Sequence, residues 1–140
     1  NLVPYITQTV AGIRKELIVF GSDYETYDGT CIRDYIHVQD LANAHISALN
    51  YLKENKLVKN EFFNIGTGMG TSVLQIIKSF EKVTGLKVNY KIGPRRSGDI
   101  AAAYSDNKKA EIILGWKSIY SLEEALLSAW NWEKKLRDIN

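Results

Sequence analysis

Apolar and polar positions follow two periods along this chain, and the switches between them mark out its elements. Leu2, Ile6, Val10 and Ile13 recur at helical spacing, with Gly12 as a stop. Leu17 to Phe20 is an unbroken apolar run ended by Gly21, which predicts a short buried strand. Ser22 to Thr30 is rich in Asp, Thr, Tyr and Gly and reads as a loop. An extended pattern resumes over Arg33 to Val38. Asp40 is then placed to cap a helix with Leu41, Ala44, Ala48, Leu49 and Leu52 on its inner face. Phe62 to Ile65 predicts a second strand, followed by Gly66, Gly68 and Gly70. Ser72 and Gln75 form a capping-box pattern, which lets each side chain satisfy an orphan amide. The helix it opens carries Val73, Ile76, Ile77, Phe80 and Val83 on one stripe and stops at Gly85. Val88 to Ile92 alternates as a strand, and Gly93 to Ser105 is a long connection. Asp106 is placed to cap a short helix ending at Gly115. Ser121 and Glu124 form a second capping box, opening a last helix through Leu126, Ala129, Trp130 and Leu136. Strands alternate with helices, so the class is α/β. Only three or four short strands are predicted, fewer than a doubly wound sheet needs, which predicts a part of a larger fold.

Composition narrows the picture. A chain of 140 residues with 45% hydrophobic and 24% charged residues has the make-up of one ordinary soluble domain. Eighteen basic against 16 acidic side chains leave a net charge of +2, too little to point to nucleic acid or membrane by bulk charge. No apolar run approaches the roughly 18 residues of a membrane span. The opening segment lacks the basic region and cleavage site of a signal peptide. A single cysteine, Cys31, excludes an internal disulfide, and no Cys/His metal spacing is present. A reducing, cytoplasmic setting is expected. The chain has no starting methionine, which also predicts an excerpt.

Several residues could carry chemistry. Gly66-Thr67-Gly68-Met69-Gly70-Thr71 lies where a dinucleotide loop would sit, between a strand and a capped helix. However, Thr71 stands where the third glycine belongs, and no acidic residue ends the next strand to hold a ribose. A tight structural turn is the plainer reading. Arg33, Arg95 and Arg96 fall in non-helical segments, where guanidinium groups could clamp a diphosphate bidentately, with Asp99 free to accept from sugar hydroxyls. The alternative is surface ion pairing, Arg33 with Asp34 and Arg96 with Asp99. Tyr24, Tyr27 and Tyr35 flank Arg33 and could line a base or sugar site. Trp116 and Trp130 read as core. Cys31 reads as an inert buried thiol, and His37 as a satisfied core residue. Tyr104 and Lys108 have the Tyr-x-x-x-Lys spacing of short-chain dehydrogenases, but Tyr104 precedes the expected helix start, so the match is a coincidence.

Taken in order, Asn1-Leu2-Val3-Pro4-Tyr5-Ile6, Val19-Phe20-Gly21-Ser22-Asp23-Tyr24, Asp28-Gly29-Thr30-Cys31-Ile32-Arg33-Asp34-Tyr35-Ile36-His37-Val38, Asn64-Ile65-Gly66-Thr67-Gly68, Arg95-Arg96-Ser97-Gly98-Asp99 and Leu114-Gly115-Trp116 resemble one pattern. It is the C-terminal part of the UDP-glucose 4-epimerases, a family of extended short-chain dehydrogenase/reductases. The resemblance covers essentially the whole chain. It implies a single unit over residues 1–140 that holds most of the UDP-sugar site, together with strands and helices that complete an absent Rossmann portion. The whole enzyme would interconvert UDP-glucose and UDP-galactose in galactose metabolism through a 4-keto intermediate. It would use NAD bound by the absent N-terminal part, and would form a homodimer. No residue here matches the family's catalytic Tyr-x-x-x-Lys helix or its NAD fingerprint, so this part alone is expected to be inactive.

The resemblance also implies roles. Asn1 resembles the asparagine that bonds the diphosphate. Ile18, Val19 and Phe20 resemble the strand whose backbone reads uracil. Arg33 and Arg96 resemble the diphosphate clamp, Asp99 the ribose partner, and Ser97 with Gly98 the rest of that loop. Ala103 stands where a tyrosine would restrict the hexose pocket, so its small size leaves room for a 2-acetamido group. Two other readings stay open: another extended short-chain nucleotide-sugar enzyme, such as a dehydratase or decarboxylase, and a non-catalytic nucleotide-sugar-binding module.

Overall fold

The computed structural model describes residues 1–55 and 60–139; the remaining positions of the expected 1–140 unit lie outside it. In chain order the elements are α1 (Leu2–Val10), β1 (Leu17–Phe20), β2 (Ile32–Arg33), α2 (Val38–Glu54), β3 (Thr71–Ser72), α3 (Val73–Thr84), β4 (Tyr90–Gly93), β5 (Ala102–Ala103), α4 (Lys108–Leu114) and α5 (Leu122–Arg137). The α/β class stands. β1 and β4 pair in parallel, with Phe20 opposite Gly93. β2 is the centre of a second sheet, antiparallel to β3 and parallel to β5, with Arg33 opposite both Thr71 and Ala103.

The main core is built where the apolar stripes predicted it. Ile6 of α1, Leu17 and Val19 of β1, Ile76, Ile77 and Phe80 of α3, and Leu126 and Trp130 of α5 form one buried cluster with Val88. Phe80 meets Trp130 edge to face at 6.0 Å between ring centroids, the arrangement that ring quadrupoles favour. Each such side chain contributes about 1.5–3 kcal/mol by leaving water. Both capping boxes form. Ser72 accepts from the Gln75 amide, Ser121 accepts from the Glu124 amide, and the reciprocal bonds are present. α3 closes on Gly85 in the left-handed conformation.

A smaller core joins Ala44, Ala110 and Trp116, with Phe63 and Ile65 packed against it. Here the structure corrects several expectations. Phe62 to Ile65 is in no ladder among the described residues. Phe63 and Ile65 pack on Trp116's cluster while Phe62 faces solvent. A strand needs a paired partner as well as β-propensity, and none of the described strands pairs with this segment. On α2 only Ala44 of the expected inner face is buried; Leu41, Leu49 and Leu52 are exposed, because no element among the described residues covers them. The cap of α2 is His37, whose Nδ1 accepts from the Gln39 amide and whose ring stacks on Tyr120 at 4.3 Å. Asp40 is instead buried in the first turn, where its carboxylate accepts from the amides of Ile119 and Tyr120. Its backbone carbonyl accepts from the Trp116 indole. The extended stretch after Arg33 forms no ladder beyond that residue. Asn107, not Asp106, is the cap residue of α4, although the Asp106 side chain still accepts from the Lys108 amide.

Candidate functional site

The loop after β4 has a local cause. Arg96-Ser97-Gly98-Asp99 is a tight turn in which the Asp99 amide donates to the Arg96 carbonyl at 3.2 Å. Gly98 has φ +83°, the left-handed geometry that a type II turn requires at its third residue. The turn brings Asp99 back beside Arg96, and Arg96 Nη2 donates to Asp99 Oδ1 at 2.7 Å. The same oxygen accepts from Arg33 Nη2 at 3.4 Å. Arg33 is held in place from β2 by Nη1, which donates to the carbonyls of Ile32 at 2.7 Å and Ile100 at 2.9 Å. The hydrogen bond from Arg96, and then the charges of both arginines, hold the Asp99 carboxyl below the usual aspartate range.

β1 closes one side of this arrangement. Because Phe20 lies opposite Gly93, the loop carrying the arginines starts at the end of β1, and the Arg96 guanidinium lies 5.9 Å from the Phe20 ring centroid. Val19 is buried in the core, while Ile18 is half-buried and Phe20 exposed. Arg33 also lines a cleft of about 540 Å³ together with Ala103, Asn64 and Tyr104. The structure therefore brings together Phe20, Arg33, Arg96, Asp99 and Ala103 through two sheets and one turn, with Ser97 and Gly98 forming the turn. Asn1 stands apart from these contacts, exposed at the start of α1, where its side chain makes no capping bond.

Arg95 points elsewhere. Its Nε donates to Asp23 Oδ1 at 2.7 Å, and its guanidinium lies 4.3 Å above the Tyr24 ring, tying this loop to the one after β1. Tyr24 is buried with its hydroxyl unpartnered among the described residues, beside buried Cys31; burial, then Cys31, push the phenol up. A second cleft, of about 370 Å³, lies between His37, Tyr120 and α5; it contains no arginine.

Of the alternative ion pairs, Arg96 with Asp99 forms and Arg33 with Asp34 does not. Asp34 is a hub that sequence reasoning missed. Its carboxylate accepts from the Thr67 amide at 2.8 Å, the Thr67 hydroxyl at 2.6 Å, the Gly68 amide at 3.0 Å and the Ser105 amide at 3.2 Å. Gly66 permits this approach, since a Cβ there would stand 2.7 Å from Ser105 Cβ and collide with the carboxylate. The amides that a phosphate would take from this glycine turn are already bonded to an internal anion. The turn therefore does not fit a dinucleotide pyrophosphate.

In this α/β chain two guanidiniums, one from β2 and one from the loop after β4, converge on one carboxylate oxygen beside an open cleft. The model of the GDP-mannose 4,6 dehydratase family matches residues 1–128, and the chain belongs to that family. Within it, the chain is 50% identical over 135 residues to a bifunctional UDP-glucose 4-epimerase and UDP-xylose 4-epimerase from Arabidopsis thaliana, covering 96% of this chain and 38% of that protein. The UDP-glucose 4-epimerase of Stenotrophomonas maltophila, solved with NAD and formylated UDP-arabinopyranose, superposes with a TM-score of 0.95 at 45% identity, covering all of this chain and 41% of that one. The enzyme from Bifidobacterium longum, solved with NAD+ and UDP, gives a TM-score of 0.88 at 43% identity, with 100% and 41% covered. The expected resemblance and fold class are met. The chain spans about two fifths of the length of these relatives.

Proposed function

We propose that this chain is the UDP-sugar-binding part of a UDP-glucose 4-epimerase. The observation that carries the reading is the meeting of Arg33 and Arg96 on one oxygen beside the Phe20 end of β1. Arg33 and Arg96 grip the diphosphate, while Asn1 is left out of the clamp because it makes no contact with either. The backbone of Ile18, Val19 and Phe20 reads uracil while Val19 keeps that strand seated in the core. Asp99 accepts from the ribose hydroxyls, and Ser97 and Gly98 shape the turn that presents it. The two guanidiniums fix the anchor of the substrate, so the hexose is delivered in one orientation rather than many.

NAD supplies the hydride acceptor and donor for interconversion at the sugar's C4, from a portion of the parent outside this chain. The residues of this chain bind and orient; none of them moves the proton or the hydride. The uncovered face of α2, with Leu41, Ile46, Leu49 and Leu52 exposed, and the unpaired Phe62 to Ile65 segment support an N-terminal NAD-binding partner seated there. The parent is a cytoplasmic homodimer acting in galactose metabolism. Ala103, exposed on the cleft that Arg33 also lines, leaves space for a 2-acetamido group, so UDP-N-acetylhexosamines are substrates too.

Calorimetric titration of UDP into the chain tests the central claim. Each charged phosphate contact contributes about 1.5–3 kcal/mol, so Arg33→Ala and Arg96→Ala each weaken UDP by at least about tenfold. Equal affinity for UDP in the wild type and the doubly substituted protein would refute the clamp. For the pocket, Ala103→Tyr in the full-length enzyme abolishes turnover of UDP-N-acetylglucosamine and spares UDP-glucose; a wild type that turns over only UDP-glucose refutes the volume argument.

A further inference from the structure

The carboxylate between the two arginines is set deeper than either partner. The Asp99 side chain is 14% exposed, against 29% for Arg33 and 65% for Arg96. Its Oδ1 accepts from one amino group of each guanidinium, so those two nitrogens stand no farther apart than 3.4 and 2.7 Å laid end to end. Two like charges that close repel unless an anion lies between them. Arg33 is additionally fixed by two backbone carbonyls, whereas Arg96 is held by Asp99 and reaches toward the Phe20 ring.

We propose that Asp99 is an internal stand-in for ligand phosphate. Before a ligand arrives, its carboxylate holds the place between the two guanidiniums that a diphosphate takes, and binding is an exchange of anions at that place. The proposal rests on the reading of Arg33 and Arg96 as phosphate-binding groups. The stand-in keeps both arginines converged, so the ligand meets a clamp already assembled. It also sets a threshold. A single carboxylate oxygen satisfies one N–H of each guanidinium, whereas a diphosphate offers several charged oxygens and bidentate pairing, so the exchange favours a polyanion over a monoanion. The displaced carboxylate is then free for the ribose hydroxyls, which gives one side chain a duty in each state.

The test uses inorganic pyrophosphate, which lacks the ribose that Asp99 would otherwise gain. Calorimetry on the chain at fixed salt compares the wild type with Asp99→Asn, Asp23→Asn and the double variant Arg33→Ala, Arg96→Ala. Asp99→Asn removes the internal competitor and tightens pyrophosphate by about tenfold. Asp23→Asn, which removes the carboxylate paired to neighbouring Arg95, controls for general charge and changes affinity by less than about twofold. If Asp99→Asn binds pyrophosphate no better than the wild type, or Asp23→Asn gains as much, the stand-in is refuted while the clamp survives in the double variant's loss. If the double variant binds like the wild type, or no protein binds, the clamp reading falls and takes the stand-in with it. Should Asp99→Asn not fold, carbon-13 titration of the Asp99 carboxyl in the wild type decides. Saturating pyrophosphate raises its midpoint if the carboxylate is displaced, and an unmoved midpoint overturns the proposal.

Discussion

Replacing Asp34 by alanine removes the acceptor for four donors, and the structure allows each to be weighed. The Thr67 hydroxyl already lies 3.3 Å from the Met69 carbonyl and keeps a partner. Gly68 is exposed, so water takes over its amide. The Thr67 and Ser105 amides are half-buried and lose a charge-assisted bond without ready replacement. At about 1.5–3 kcal/mol for each such bond, discounted for partial exposure, the loss is about 3 kcal/mol. Urea unfolding with the midpoint and slope both followed is the assay. A slope of about 2 kcal/mol per molar converts the loss to a midpoint lower by about 1.5 M, with the slope unchanged. A loss below about 0.5 kcal/mol, the range of ordinary surface substitutions, would show that water satisfies these amides and that the carboxylate pins nothing.

Gly66→Ala places a methyl against the Asp34 carboxylate and Ser105, at a cost of about 1–3 kcal/mol in melting experiments. That cost shrinks when Asp34 is already alanine, and strict additivity in the double variant contradicts the steric account. Acid weakens the fold in a stated window. Glu81, held low by the Val88 amide and then Lys87, and Asp99, held low by Arg96, both have folded-state pKa values below their unfolded ones. Asp28 joins them, since bonds from Ser72 and Thr30 outweigh the opposing effect of burial. Their stabilisation is complete above the unfolded carboxylate range of about 4 and is lost as pH falls through the lower folded values. Urea midpoints constant from pH 7 down to 3 would contradict this. At the other extreme, burial pushes the Tyr35 phenol up to about 12, so absorbance titration shows a transition near that value and stability falling as pH rises from about 10 through it. Loss of the late transition in Tyr35→Phe confirms the assignment.

The parts of the fold legible in the sequence are those whose causes are local. The starts of α3 and α5 follow from capping boxes four residues long, and β1 from one apolar run. The parts misread depend on what lies across space. Periodicity identifies an apolar face on α2 but not what covers it, and Phe62 to Ile65 has strand chemistry without a strand paired to it among the described residues. His37 outdid Asp40 as the helix cap because the Asp40 carboxylate serves amides at Ile119 and Tyr120, a contact no short window contains. At the candidate site, the turn at Gly98 makes the Arg96–Asp99 pair readable from four residues. The Arg33–Asp99 bond spans 66 positions and depends on β2 and β5 lying side by side. Sequence adjacency suggested Asp34 as the partner of Arg33, but successive residues of an extended segment face opposite ways.

That opposition gives β2 a proofreading property. Its ladder is only two residues long, too short for packing alone to specify alignment strongly. Shifting it by one position would present Asp34 to Asp99, carboxylate against carboxylate, and would turn Arg33 toward the Thr67, Gly68 and Ser105 amides, donor against donor. A cation and an anion placed back to back thus make the misaligned pairing repulsive on both sides at once. Swapping these neighbours, Arg33→Asp with Asp34→Arg, would therefore reward the wrong alignment without changing composition or net charge.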